Sequence, residues 1–240
     1  MSLSLSGYRS ITRASLGFVW ALPVACICTY FMERELMKLV GTYLSPFSRR
    51  VAASLISRGI SYTHEDINGY LSPEKARALN PVGKVPVLIL DDGEALIDSG
   101  AILDHLNELC RPEQALIPPS GRTRRAVLRA SAIATTIYEQ STARYFEERR
   151  PGDSVLPELI ERYRQQTIGG LKALEEASKP AGPIAAGNLN LATISAVVAV
   201  DYVRITHADL DPARLAPALS WSAAELAAQP PFARTLPPIP

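Results

Sequence analysis

Ser45, the pair Val85-Pro86 and the pair Asp98-Ser99 are the residues of this chain whose types and settings suit chemistry. Ser45 stands before Pro46, where a β-rich run gives way to a helix. A hydroxyl there can donate to a thiolate, and the helix N-terminus adds a favourable field. A free thiol ionises near pH 8.5, and lowering that by about two units takes roughly 2.7 kcal/mol. One charge-assisted hydrogen bond of about 1.5–3 kcal/mol, with about 0.3–1 kcal/mol from the dipole, is enough. A plain N-cap serine would look the same.

Pro86 lies inside the apolar run 85–90, where a proline cannot donate to a ladder. It is either an ordinary edge-strand proline or the second residue of a cis bond. In the cis case the N–H and C=O of Val85 turn outward and can pair with an extended peptide as with another strand. Asp98-Ser99 opens a helix. The Ser99 hydroxyl and the free N–H groups suit a carboxylate, and Asp98 suits an amine. An amine and a carboxylate on one carbon, as in a γ-glutamyl group, satisfy both residues; so would a simple N-cap pair.

These residues need elements to hold them. Residues 38–43 are β-rich and close at Ser45-Pro46, with proline at the first helical position. Between Phe47 and Arg58, Val51, Ala52, Leu55 and Ile56 recur at helical spacing, and Gly59 is the expected stop. Residues 61–67 read as a second strand, which makes a βαβ unit with parallel strands and a right-handed crossover. A short helix follows Ser72-Pro73. Residues 85–90 and 95–97 are strands around an Asp91-Asp92-Gly93 turn, and 99–109 is a helix with Ile102, Leu103 and Leu106 on one face. A proline-rich stretch at 112–120 is the best boundary in the chain. Beyond it, helices are expected over 122–149, 155–178, 191–205, 212–219 and 221–228, before a proline-rich tail. The fold class is α/β followed by all-α.

Composition narrows the function. Of 240 residues, 47% are apolar and 20% charged, with a net charge of +1, so no global field favours nucleic acid. Cys26, Cys28 and Cys110 are too few for a disulfide framework and do not have zinc-site spacing. His64, His105 and His207 are scattered, so no metal site is expected. A reducing cytoplasm is the default compartment. The apolar run 16–31 behind Arg9 and Arg13 is short for a membrane span and about right for a signal-peptide core, but Pro23 interrupts it. Because strand-like sequence starts at Lys38 behind Met37, residues 1–36 are read as a disordered or non-native extension. Export, anchoring or an accessory role are the alternatives.

The segments KLVGTYLSPFSRRV (38–51), NPVGKVPVL (80–88), DSGAILDHL (98–106), NLATISAVVAVDY (190–202) and FARTLPP (232–238) together resemble the glutathione transferase family, most of all its bacterial YibF-type members. The resemblance spans 37–240. It implies a thioredoxin-like glutathione-binding domain over 37–111, a linker at 112–120 and an all-helical domain over 121–240, usually as a homodimer. It implies glutathione as co-substrate, held by Ser45, Phe47, Lys84, Val85, a cis Pro86, Asp98 and Ser99, with Ser45 meeting the sulfur. A second, small electrophilic substrate would lie against Tyr43, Thr136, Tyr138 and Tyr145. No metal, nucleic acid or membrane partner is implied, unless the 1–36 extension is native and anchors the chain.

The departures are informative. Thiol-transferring members carry cysteine where this chain has Ser45, so disulfide exchange through an enzyme thiol is not expected. Tyr43 competes with Ser45 as hydroxyl donor. Asn190 and Thr193 stand where a Ser/Thr-x-x-Asp box is common; Asn190 is still a good N-cap. Arg122, Arg124, Arg125 and Arg129 read as a solvated helix face, or as the lining of a dimer cleft. The resulting expectation is a cytoplasmic detoxifying transferase that conjugates glutathione to small hydrophobic electrophiles. The rival is a binding or scaffold protein of the same fold with little or no turnover.

Overall fold

In the computed structural model, residues 36–184 and 189–238 are described. The expectations for the extension ahead of Leu36, with Cys26 and Cys28, lie outside them. Four strands, β1 (Met37–Val40), β2 (Tyr62–Glu65), β3 (Val87–Ile89) and β4 (Ala95–Ile97), form one sheet in the order β2-β1-β3-β4. β1 and β2 pair in parallel from Met37↔Tyr62 to Val40↔Glu65, as the βαβ reading requires. β3 runs antiparallel to both β1 and β4. Helices α1 (Pro46–Ser57), α2 (Pro73–Leu79) and α3 (Ser99–Leu109) complete this thioredoxin-like part.

β1 stops at Val40, sooner than the β-rich run suggests, because Gly41 takes φ +142. A Cβ at Gly41 would strike the Ser48 hydroxyl and come within 3.1 Å of Val85 Cβ. Gly41→Ala is therefore expected to lower stability by roughly 1–3 kcal/mol from backbone strain alone. Urea denaturation checks this, and an unchanged midpoint would contradict it.

The 112–120 stretch is no free tether. Leu116 and Ile117 are buried in the core, Ile117 N–H donates to Asn107 Oδ1 at 2.8 Å, and Leu116 C=O accepts from Leu191 N–H at 3.0 Å. After it come α4 (Gly121–Glu147), α5 (Pro157–Ala177), α6 (Leu191–Thr206), α7 (Pro212–Leu215), α8 (Pro217–Leu226) and α9 (Pro230–Ala233). The last lies in the stretch expected as a proline-rich tail; its prolines occupy the first turn, where a missing N–H costs nothing. α6 is buried along almost its whole length, and Asn190 caps it by accepting from Thr193 N–H at 3.0 Å. Successive residues Leu39 and Val40 face opposite sides of the sheet. Leu39 joins Leu55, Ile102, Ile137, Ile194 and Val198 in one core that runs from sheet to helices, while Val40 packs with Ile67 and Val87. Among the described residues no helix is long and apolar enough to cross a membrane.

His207, just past α6, is buried, and its Nε2–H donates to the Ser141 carbonyl at 2.9 Å. A carbonyl only accepts, so the neutral ring carries its hydrogen on Nε2 and leaves Nδ1 without a partner. Burial holds the His207 pKa below its ordinary 6.5, assisted by the Arg144 charge and opposed by the Ser141 bond and by Glu148 and Asp209. The unfolded chain then binds the proton more readily. The contribution of this site is complete above about pH 6.5 and is lost as pH falls through and below that value. Thermal midpoints should drop on acidification from pH 7.5 to 5.5, and less so in His207→Gln; equal slopes for the two proteins would count against the assignment.

Candidate functional site

The start of α1 supplies the first hydroxyl. Ser45 is extended at the N-cap position (φ −70, ψ 118), with Pro46 opening the helix. Its Oγ accepts from Ser48 N–H at 3.5 Å, and its own proton has no acceptor among the described residues. That leaves it free to donate to a ligand.

The segment before β3 supplies a peptide edge. The Val85-Pro86 bond is cis. β3 begins only at Val87, and among the described residues neither the N–H nor the C=O of Val85 has a hydrogen-bond partner. Buried Asn80 fixes the approach: its Nδ2 donates to Lys84 C=O at 2.8 Å, and its Oδ1 accepts from Val82 N–H at 2.9 Å. Asn80 is not among the site residues expected from the sequence, although an asparagine before Pro81 is itself a turn signal.

Asp98 and Ser99 divide their work at the start of α3. Asp98 has φ +69, and its Oδ1 accepts from Gly100 N–H at 2.7 Å and Ala101 N–H at 3.3 Å. Its carboxylate is exposed. Ser99 is 2% exposed, and its Oγ accepts from Arg50 Nε at 3.1 Å and Arg50 Nη2 at 2.7 Å.

A cleft of about 330 Å³ brings Phe47, Lys84, Val85, Pro86, Asp98 and Ser99 together, along with Asn80, Val82, Ile97 and Glu139. Its wall combines an apolar strip, an open strand edge, one lysine and two carboxylates. Such a surface can hold an extended zwitterionic peptide through backbone pairing and through its charged ends. Ser45 is not part of this wall; it precedes Phe47 by two residues at the capped end of α1. Among the described residues no group of three His, Cys, Asp or Glu side chains could hold a metal ion.

None of the four residues expected around a second substrate, Tyr43, Thr136, Tyr138 and Tyr145, lines this cleft. Tyr138 is fully buried and its hydroxyl donates to Ser195 C=O at 2.5 Å, so it is a core residue whose ring edge meets Phe47. Adjacent helical residues lie about 100° apart, and Glu139 is the one that faces the cleft. Thr136 is exposed and bonds back to Ala132 C=O. Tyr145 lies beneath the Arg149 guanidinium, 3.5 Å from its ring centroid. Tyr43 stacks on His64 at 4.1 Å, and its hydroxyl is 3.0 Å from that of Tyr62. The competing hydroxyl is thus held against β2. Arg122, Arg125 and Arg129 are exposed, while Arg124 donates to Pro118 C=O at 3.1 Å.

Residues 39–114 match the family model described as the glutathione S-transferase N-terminal domain. The GST-like protein YibF of Escherichia coli is 31% identical over 167 residues, which is 70% of this chain and 82% of YibF. A glutathione S-transferase from Methylobacillus flagellatus, solved with glutathione bound, superposes with a TM-score of 0.77 at 28% identity, covering 84% of this chain and all of that one. A glutathione transferase family member from Pseudomonas fluorescens, also solved with glutathione, gives 0.75 at 28% identity over 85% of this chain and 100% of its own. With a relative of that identity matched over four-fifths of its length, and with a cis-proline edge beside a capped α3, the chain belongs to the glutathione S-transferase family.

Proposed function

We propose that the protein conjugates the thiolate of glutathione to small hydrophobic electrophiles, as a cytoplasmic homodimeric detoxifying enzyme. The observation that carries the reading is the open backbone of Val85 facing the Asp98-Ser99 helix start across one cleft. The cysteinyl backbone pairs with Val85, the γ-glutamyl amine and carboxylate meet Asp98 and Ser99, and Lys84 and Phe47 close the sides. Ser45 donates to the sulfur and favours its ionised form, the thiol proton passing to solvent. The sulfur lone pair then forms a C–S bond at the electrophilic carbon, either as a leaving group departs with its electrons or as a π bond opens and the resulting anion takes a proton from solvent. Proximity supplies the rest, and no covalent enzyme intermediate is needed. Dimerisation and the cytoplasmic setting rest on the family.

Isothermal titration with glutathione is expected to give one site per chain. A panel of chloronitroarenes, isothiocyanates and enals should then yield S-conjugates, thioethers from the first and last and dithiocarbamates from the isothiocyanates, faster than glutathione alone at the same pH. Binding without turnover on any of them would replace the transferase with a glutathione-binding module. Absence of binding would end both readings.

A further inference from the structure

Three arginines are buried among the described residues, Arg49, Arg50 and Arg144. Arg49 has the Asp201 carboxylate at 2.9 Å, and Arg144 has Glu148 and Asp209 at 2.7 and 2.9 Å. Among the described residues Arg50 has no carboxylate within ion-pair distance. Its guanidinium donates only to neutral hydroxyls, through Nε and Nη2 to Ser99 Oγ and through Nη1 to Thr135 Oγ1 at 2.7 Å. Burial pushes its pKa down, and Tyr138, whose ring centroid lies 5.9 Å from the guanidinium carbon, then Asp98 and Glu139, only partly compensate. A buried cation without a counter-ion is costly, and this one lies directly behind a residue of the cleft wall.

The hydroxyl accounting gives the direction. A serine hydroxyl has two acceptor lone pairs and one proton. Arg50 occupies both lone pairs of Ser99, so the hydroxyl can act only as a donor, and its proton has no acceptor among the described residues. Thr135 has no proton left to give, since its own goes to Ser131 C=O at 3.0 Å. We propose that Arg50 is a positioning residue: it locks Ser99 as an obligate donor and places the counter-charge for the ligand's γ-glutamyl α-carboxylate, which completes the Arg50 ion pair through Ser99. This rests on the glutathione reading and adds to it a reason why an anion, rather than any acceptor, is selected at that end.

The test compares glutathione with 4-aminobutyryl-cysteinylglycine, which lacks only the γ-glutamyl α-carboxylate, and with γ-glutamylcysteine, which lacks the glycine. Titration calorimetry on the full chain is expected to show wild type preferring glutathione to the decarboxylated peptide by roughly 10–100-fold, the range of one charge-assisted hydrogen bond. In Arg50→Gln that preference should fall to about threefold or less, while the preference for glutathione over γ-glutamylcysteine stays at its wild-type value. A generally loosened fold would weaken all three ligands together and leave the ratios alone. Ser99→Ala should collapse the same ratio, and adding Arg50→Gln to it should change nothing further. Arg50→Lys, which keeps the charge but not the fork, should be intermediate; it decides the matter with Ser99→Ala if Arg50→Gln does not fold. The inference is overturned alone if glutathione binds and the Arg50 variants keep the wild-type ratio, or if they change the γ-glutamylcysteine ratio instead. A wild type that does not bind glutathione overturns the functional reading, and this inference with it.

Discussion

Ser45→Ala is expected to lower kcat/KM for glutathione conjugation by roughly ten- to a hundredfold while glutathione affinity stays within a few-fold. The fall corresponds to losing one hydrogen bond to a charged acceptor, about 1.5–3 kcal/mol. Affinity should hold because, in the proposed binding mode, the other end of the peptide meets Asp98, Ser99 and the Val85 backbone, and the Ser45 hydroxyl is bonded to Ser48 N–H instead. The substitution also removes an N-cap, but the present cap bond is long at 3.5 Å, so the loss of helix stability should be toward the low end of about 0.5–2 kcal/mol. Thiolate absorbance of bound glutathione gives the direct readout: its apparent pKa should rise in Ser45→Ala. Tyr43→Phe is the control, because the Tyr43 hydroxyl is already held 3.0 Å from that of Tyr62 on β2. If Tyr43→Phe abolishes the thiolate and Ser45→Ala preserves it, the wrong hydroxyl has been assigned.

What the sequence disclosed of this site follows from how local each feature is. Ser45-Pro46, Asp98-Ser99 and Asn190 announce helix starts through residue type alone, and all three are N-caps in the fold. Pro86 announces an interrupted strand by its missing donor. Which residues of α4 reach the cleft was not legible in this way, because that depends on the rotational phase of the helix. Tyr138 and Glu139 are neighbours in sequence, yet one is core and the other faces the cleft. Arg50 was missed for a different reason. In SPFSRRV it looks like half of an ordinary basic pair, although a helix carrying Val51, Ala52, Ala53 and Leu55 has little solvated face to hold two charges. Both arginines are buried, and their partners come from α3, α4 and α6. Spacing along the chain says nothing about contacts made across 152 residues.

Asp201→Ala is expected to cost about 3–5 kcal/mol of stability, the usual penalty for leaving a buried charge without its partner. Arg49, on α1, is 1% exposed, and its Nη1 donates to Asp201 Oδ2 on α6 at 2.9 Å. Its Nε and Nη2 have no partner of their own, so Asp201 supplies the only hydrogen bond of this guanidinium among the described residues. Arg204, one turn on at 3.7 Å, is too exposed to hold the carboxylate as firmly. The expected asymmetry separates this from simple loss of contact. Arg49→Met leaves Asp201 partly solvated beside Arg204 and should cost less than Asp201→Ala. The double variant Arg49→Met/Asp201→Ala should be more stable than Asp201→Ala alone, because an apolar side chain then fills the space of the stranded cation. Urea unfolding of the four proteins gives the cycle. Additive losses, or an Asp201→Ala midpoint within about 1 kcal/mol of wild type, would show that Arg49 finds other partners and that the α1–α6 contact does not depend on this pair.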